Sequence, residues 1–138
     1  MALKITLKPN EKMILGGAVI SGGANKCEFL VENKVAILRQ NSIMTPEAAD
    51  SPAKRIYLAI QLMYVDAQKI VAHQKLYWQL VEEFIDAAPS SIGLVDRINE
   101  FIYTEKYYDA LKLAKKLIEF EQEVVKRVTE CTEILPVG

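Results

Sequence analysis

One histidine, two cysteines and no strongly apolar run longer than ten residues leave this chain without several kinds of machinery. Its longest such run, "IYLAIQLMYV" at 56–65, is half of the roughly 20 residues that a membrane-spanning helix needs. The opening "MALKITLKPNEK" alternates charged with apolar residues and lacks the hydrophobic stretch of a signal peptide. Cys27 and Cys131 form no CxxC pair, and two isolated thiols read as reduced cysteines of a cytoplasmic protein. The lone His73 has no Cys or carboxylate at metal-ligand spacing beside it, so it reads as structural, and no Ser/His/Asp set can be assembled around it. Cys27, between Lys26 and Glu28, reads as a buried strand residue rather than a nucleophile. The glycine pairs at 16–17 and 22–23 lead into neither GK[ST] nor a helix, so they are not a phosphate loop. Glu82–Glu83 and the run Glu119, Glu121, Glu123 read as solvated faces. Neither an enzyme nor a bound cofactor or metal is expected.

What the chain does have is a globular composition: hydrophobic residues make up 51% of its 138 positions and charged ones 25%, which excludes a disordered chain. The net charge of −1 excludes a uniformly basic nucleic-acid binder but hides an asymmetry. Residues 1–44 carry six Lys and Arg against three Glu, a net +3, and the remainder carries 11 basic against 15 acidic residues, a net −4. Such a split suggests that the two parts have different tasks.

Periodicity divides the chain at the same place. "LKITLK" alternates Leu3, Ile5 and Leu7 with Lys4, Thr6 and Lys8, the period of a half-buried strand. "KPNE" supplies turn residues, "KMIL" is a short second strand, and "GGAVI" extends it beyond a glycine bend. "KCEFLVE" and "VAILR" follow as strands, with Asn33–Lys34 as a two-residue hairpin turn between them. From residue 45 the period becomes helical. Ser51 followed by Pro52 marks a helix start. The helix it opens is apolar nearly all round, so it is buried on most sides. A second amphipathic stretch follows without Pro or Gly, so a kink is expected near Asp66. Ser90 or Ser91 caps a helix at about 92–104. "EKYYDALKLAKKLIEFEQEVVKRV" is the last, with the tail after Thr129 fraying. The expected class is α+β: a small N-terminal antiparallel β subdomain (1–44) followed by a three- to four-helix C-terminal part (45–138).

Two sets of residues carry chemistry. Lys4, Thr6 and Lys8 line one face of the first strand, with Lys12 after the turn and Arg39 at the end of the last strand. Cations on a strand face with few acids suit phosphates or single-stranded RNA, and a solvated sheet face is the alternative. The stacking aromatics of many RNA-reading sheets are missing, because Phe29 alternates onto the Cys27/Val31 face and reads as core. The second set is Tyr57, Gln61 and Tyr64, spaced i, i+4, i+7 on one helical face, with Arg55 nearby. Tyrosine's apolar body and polar tip suit an interface, or a core position whose hydroxyl reaches the rim.

At these residues the chain resembles the FlbT family of flagellum biosynthesis regulators in α-proteobacteria. "LKPNEK" (7–12), "GGAV" (16–19), "AILRQNSIM" (36–44), "RIYLAIQLMYVD" (55–66) and "YYDALKLAKKLIEFE" (107–121) carry the likeness, which runs over about residues 3–128. The resemblance implies a cytoplasmic post-transcriptional regulator that binds the 5′ untranslated leader of flagellin mRNA and usually promotes its decay. The expected partners are that leader, with a homodimer built by the helices, a second flagellar regulator or flagellin itself as further candidates for the helical part, and no membrane. "LKITLKPNEKMIL" and "VAILRQNSI" are also similar to the first and last strands of the carbon storage regulators, small dimeric β proteins that bind mRNA leaders. That likeness places Lys8 at the RNA-facing edge of the first strand and Arg39 at the arginine that grips RNA, with Leu38 where that family has His. On this reading Arg39 has no acidic neighbour in sequence because its partner is external; a pairing across the sheet with Glu11 or Glu28 is the alternative. The rival class is a protein–protein adaptor acting through the helical half without direct RNA contact.

Overall fold

The computed structural model describes residues 2–134. Five short strands come first: β1 (Leu3–Leu7), β2 (Lys12–Leu15), β3 (Ala18–Ser21), β4 (Cys27–Val31) and β5 (Ile37–Arg39). Four helices follow: α1 (Pro52–Val65), α2 (Ile70–Ala87), α3 (Ile92–Tyr103) and α4 (Tyr107–Ile134). The fold is α+β, with antiparallel strands in two small sheets, β1–β4 and β3–β2–β5.

The turns follow their residues. Lys8–Glu11 closes with the Glu11 N–H donating to the Lys8 carbonyl at 3.1 Å, and Asn10 takes φ 62° behind Pro9. Pro at the second position and a residue tolerant of positive φ at the third are what a type II turn asks for. The tight hairpin lies at Gly16–Gly17, where Leu15 and Ala18 pair and Gly16 has φ 62°. The expected extension of β2 through "GGAVI" is therefore a reversal into β3. The expected Asn33–Lys34 hairpin is not formed either: β4 pairs with β1 (Leu3 opposite Val31) and β5 with β2 (Ile14 opposite Leu38). Glycine meets the demand for positive φ at no steric cost, and Lys at the second turn position does not.

Gly22 has a packing reason. Its N–H donates to the Glu11 carbonyl at 2.7 Å, and a Cβ there would lie 2.5 Å from the Lys8 carbonyl oxygen. Gly22→Ala should force backbone apart and lower stability by about 1–3 kcal/mol. A thermal melt lowered by several degrees is the expected readout, and an unchanged melt would show that the turn can shift freely.

The helix starts and stops are local chemistry. Ser51 caps α1, its Oγ accepting the Lys54 N–H at 3.3 Å, with Pro52 at the first helical position. The expected kink is a full break: α1 ends at Asp66, which has non-helical φ and ψ, and His73 Nε2 sits 2.9 Å from Asp66 Oδ2 across that break. Ser91 precedes α3, but its hydroxyl donates backwards to the Ala88 carbonyl at 2.7 Å instead of capping the helix ahead. The last helix continues through Thr129 to Ile134, so the expected fraying does not begin there; residues 135–138 lie outside the described residues.

α1 is the central element, packed against α2 and α4, with α3 on α4. Its buried residues, Ala53, Ile56, Tyr57, Ala59, Ile60, Gln61 and Met63, surround the helix, as its nearly uniform apolarity requires. Ile14 of β2 and Leu38 of β5 join this core. A smaller cluster of Ile5, Leu7 and Met13, flanked by Phe29, holds the two sheets together. Cys27 shares the parity of Phe29 and Val31 but is exposed, contrary to expectation. It is the first residue of its strand and pairs with the buried Leu7, and nothing in the structure explains its exposure.

Candidate nucleic-acid interface

The first-strand alternation holds from Lys4 onward, with Ile5 and Leu7 buried, Thr6 half-buried and Lys4 exposed, but Leu3, expected on the buried face, is 52% exposed. The β1 turn, β2 and β5 then bring Lys8, Lys12, Thr6 and Arg39 to one end of the β part. There Lys8, Pro9, Asn10, Glu11, Arg39, Gln40 and Asn41 line an open polar cleft of about 720 Å³. Lys4 stands further along β1, 3.4 Å from Glu28 on the neighbouring strand. The side chains of Lys8 and Lys12 form no salt bridge among the described residues.

Arg39 is paired within the molecule, its side chain 39% exposed at the cleft. Its Nη2 donates to both carboxylate oxygens of Glu11 at 3.1 Å and to the Thr6 carbonyl at 2.9 Å. This fork ties β5 to β1 and to the turn, the cross-sheet pairing weighed above as the alternative to an external partner. Glu11 is engaged from a third side, since its Oε1 accepts the Lys8 N–H at 3.0 Å. That backbone hydrogen bond, then the Arg39 guanidinium, hold the Glu11 carboxyl below the usual carboxylate range. Gln40 completes the floor by accepting the Lys12 N–H at 2.7 Å. Sequence reasoning missed Gln40; its place directly after the arginine was the one available signal.

Tyr57, Gln61 and Tyr64 do share one face of α1, and that face grips the chain's own backbone. The Tyr57 hydroxyl donates to the Ser42 carbonyl at 2.6 Å. Gln61 accepts the Met44 N–H at 2.7 Å and donates to the Met44 carbonyl at 3.0 Å. The Tyr64 hydroxyl accepts the Ile37 N–H at 3.2 Å and donates to the Ile37 carbonyl at 3.4 Å. One helical face thus fastens the segment that carries Arg39, Gln40 and Asn41, and so sets one wall of the cleft. Arg55 stands apart: it is exposed and lines an apolar groove between α1, α2 and α4.

Burial pushes the Tyr57 hydroxyl up to about 12, with Tyr108 adding to the shift, and burial raises Tyr77 as well. A folded-state pKa above the unfolded value of 10.0 means full stabilisation below about pH 10 and loss as pH climbs towards 12. Urea midpoints at pH 8 and pH 11 should therefore differ, the alkaline one being lower. Tyr57→Phe should shrink that difference, and an equal difference in the variant would contradict it.

Among the described residues no three His, Cys, Asp or Glu side chains are grouped to hold a metal, and no helix is long and apolar enough to cross a membrane. The fold and its cleft define a small α+β protein with an open polar cleft on a basic β part. The chain belongs to the family described as "Flagellar protein FlbT", whose profile matches residues 3–125. It is 42% identical to the "Probable flagellum biosynthesis repressor protein FlbT 1" of Bradyrhizobium diazoefficiens, over 90% of this chain and 85% of that protein. It is 36% identical to the "Probable flagellum biosynthesis repressor protein FlbT" of Rhodopseudomonas palustris, over 92% of this chain and all of that protein. The "Flagellum biosynthesis repressor protein FlbT" of Caulobacter vibrioides is 35% identical, over 94% of this chain and 93% of its own length. No solved structure matches.

Proposed function

We propose that this protein is a cytoplasmic post-transcriptional regulator of flagellin synthesis that binds the 5′ untranslated region of flagellin mRNA through its β part and lowers the message's translation and lifetime. The relatives named flagellum biosynthesis repressors support the regulatory role and its sign. The cleft beside Lys8 and Lys12 is the observation that carries the RNA reading. Its lining sets Lys8, which forms no salt bridge among the described residues, and the Arg39–Glu11 pair beside the amides of Asn10, Gln40 and Asn41, which can donate to and accept from base edges, and Lys12 opens the adjoining strand β2. Lys4 and Thr6 extend the same face along β1. In this reading Arg39 shapes the cleft by holding Glu11, and the contacts to phosphate fall mainly to the lysines. No catalysis is needed: occupancy of a leader can block a ribosome site or expose the message to nucleases.

The test is fluorescence anisotropy of the purified protein with a labelled flagellin leader RNA against a shuffled RNA of equal length. Selective binding to the leader is expected. Binding to neither RNA would move the weight to the adaptor reading, in which the helical half docks flagellin or another flagellar regulator. The apolar groove beside Arg55 favours that second reading. Phosphate contacts give an affinity that falls steeply with salt, whereas apolar docking changes little.

A further inference from the structure

The helical half is acidic in total but not throughout. Over 106–116, "KYYDALKLAKK", Lys106, Lys112, Lys115 and Lys116 stand against Asp109 alone, a net +3 within a half that sums to −4. α4 buries Ala110, Leu111, Leu113, Ala114 and Leu117 and leaves Tyr108, Lys112 and Lys115 exposed. Those three are spaced four and three apart, so they share one helical face. Printed on that face are contacts to the β5 end of the chain. Lys115 Nζ donates to Ser42 Oγ at 3.1 Å, and Ser42 directly follows Asn41, which lines the cleft. Neighbouring Cα atoms are about 3.8 Å apart, so this ammonium stands at the edge of the cleft. Tyr108 packs on Tyr64 with ring centroids 6.0 Å apart, and Tyr64 holds the Ile37 backbone that leads into Arg39. Lys112 Nζ lies 4.9 Å from the Tyr108 ring centroid, an attraction that keeps its long side chain beside that ring. Neither Lys112 nor Lys115 forms a salt bridge among the described residues.

We propose that Lys112 and Lys115 of α4 bind phosphates of RNA that leaves the cleft past Ser42, so that the binding surface crosses from the β part onto the helical half. The inference rests on the RNA reading above and extends its footprint. Continuity and charge single out this occupant. A single strand lying along the cleft and leaving beside Asn41 meets Lys115 first and Lys112 next. An ammonium has three donors, so Lys115 keeps two for a phosphate while it holds Ser42. The track is short: Glu119 follows Lys115 by one turn on the same face, and Glu121 and Glu123 come after it, so the rest of α4 repels a polyanion. The fastening of residues 37–44 by Tyr57, Gln61 and Tyr64 gains a purpose here. It fixes the cleft relative to the helices, and a track assembled before binding loses less entropy when RNA arrives.

The test is salt-titrated fluorescence anisotropy of the full chain with the labelled flagellin leader RNA. Three proteins are compared: the wild type, the double variant Lys112→Ala with Lys115→Ala, and the charge-matched control Lys126→Ala with Arg127→Ala. The control lies on the same helix, about 16 Å beyond Lys115 at 1.5 Å per residue. All four side chains are exposed, so the thermal melts should stay close to wild type. The Lys112/Lys115 variant should bind about five- to tenfold more weakly at low salt. Its slope of log affinity against log salt should fall by about 1.4, two phosphates at roughly 0.7 each for a single strand. The control should stay within about twofold of wild type with an unchanged slope. A Lys112/Lys115 variant with wild-type affinity and slope overturns the proposal and leaves this basic face to an acidic protein partner. Equal losses in the variant and the control overturn it too, because net charge alone would then account for both. A wild type that binds no leader overturns the RNA reading together with this one, whereas binding that needs Lys4, Lys8 and Lys12 but not the α4 lysines overturns this one alone.

Discussion

Gln61→Leu should lower the unfolding free energy by about 2–4 kcal/mol, although leucine has nearly the right volume for the site. Gln61 is only 4% exposed and closes a two-way hydrogen bond with the Met44 backbone. Leucine would leave a partly buried N–H and a carbonyl without partners, and each orphan costs about 1–3 kcal/mol. The melting temperature should fall by roughly 8–15 °C for a chain of this size. Tyr57→Phe, which orphans only the Ser42 carbonyl, should cost about half as much. A Gln61→Leu melt within about 2 °C of wild type would show that the connection from β5 to α1 is held by apolar packing alone. The consequence would reach the cleft, because the same connection carries Gln40 and Asn41.

Replacing Lys4, Lys8 and Lys12 together by Ala should weaken leader-RNA binding about 10- to 100-fold at low salt and reduce the slope of log affinity against log salt by about 2. All three side chains are exposed, so the melt should stay close to wild type. Glu11→Gln should act in the opposite direction. The amide oxygen can still accept the Lys8 N–H, but Arg39 loses its counter-charge, and the cleft gains one unit of positive charge. Tighter binding and a steeper salt slope are expected, with a small loss of stability from the broken pair between β5 and the turn. Acid titration should imitate this. The carboxyl of Glu11 is depressed in the folded state, so its contribution is present above its unfolded value of 4.5 and is lost as pH falls through the lower folded value. A triple lysine variant that binds like wild type would remove the β face from the account.

Much of the scaffold was legible because its signals are local. Ser51–Pro52 announces α1, Pro9–Asn10 announces the turn, and alternation in "LKITLK" gives the correct buried face of β1. The change of period near residue 45 separates strands from helices. What stayed hidden is tertiary. Which strand pairs with which is decided by backbone hydrogen bonds that carry no side-chain signature, so β4 joined β1 instead of the adjacent β5. The Arg39–Glu11 fork links residues 28 apart, and only the β2–β5 pairing brings them together. Tyr57, Gln61 and Tyr64 show the same division: their common face follows from helical spacing, but nothing in that spacing says that the face meets residues 37–44 of the same chain. Glu121 illustrates it once more, since an acidic run that reads as solvent-facing supplies a buried-side contact to the start of α1.

The most direct test of the central claim is a nitrogen-15 chemical-shift titration of the labelled protein with flagellin leader RNA. The account predicts perturbations concentrated at residues 4–12 and 39–41, selective for the leader over a shuffled sequence and fading as salt rises. Perturbations confined to the α2–α4 groove, or none at saturating RNA, would contradict it.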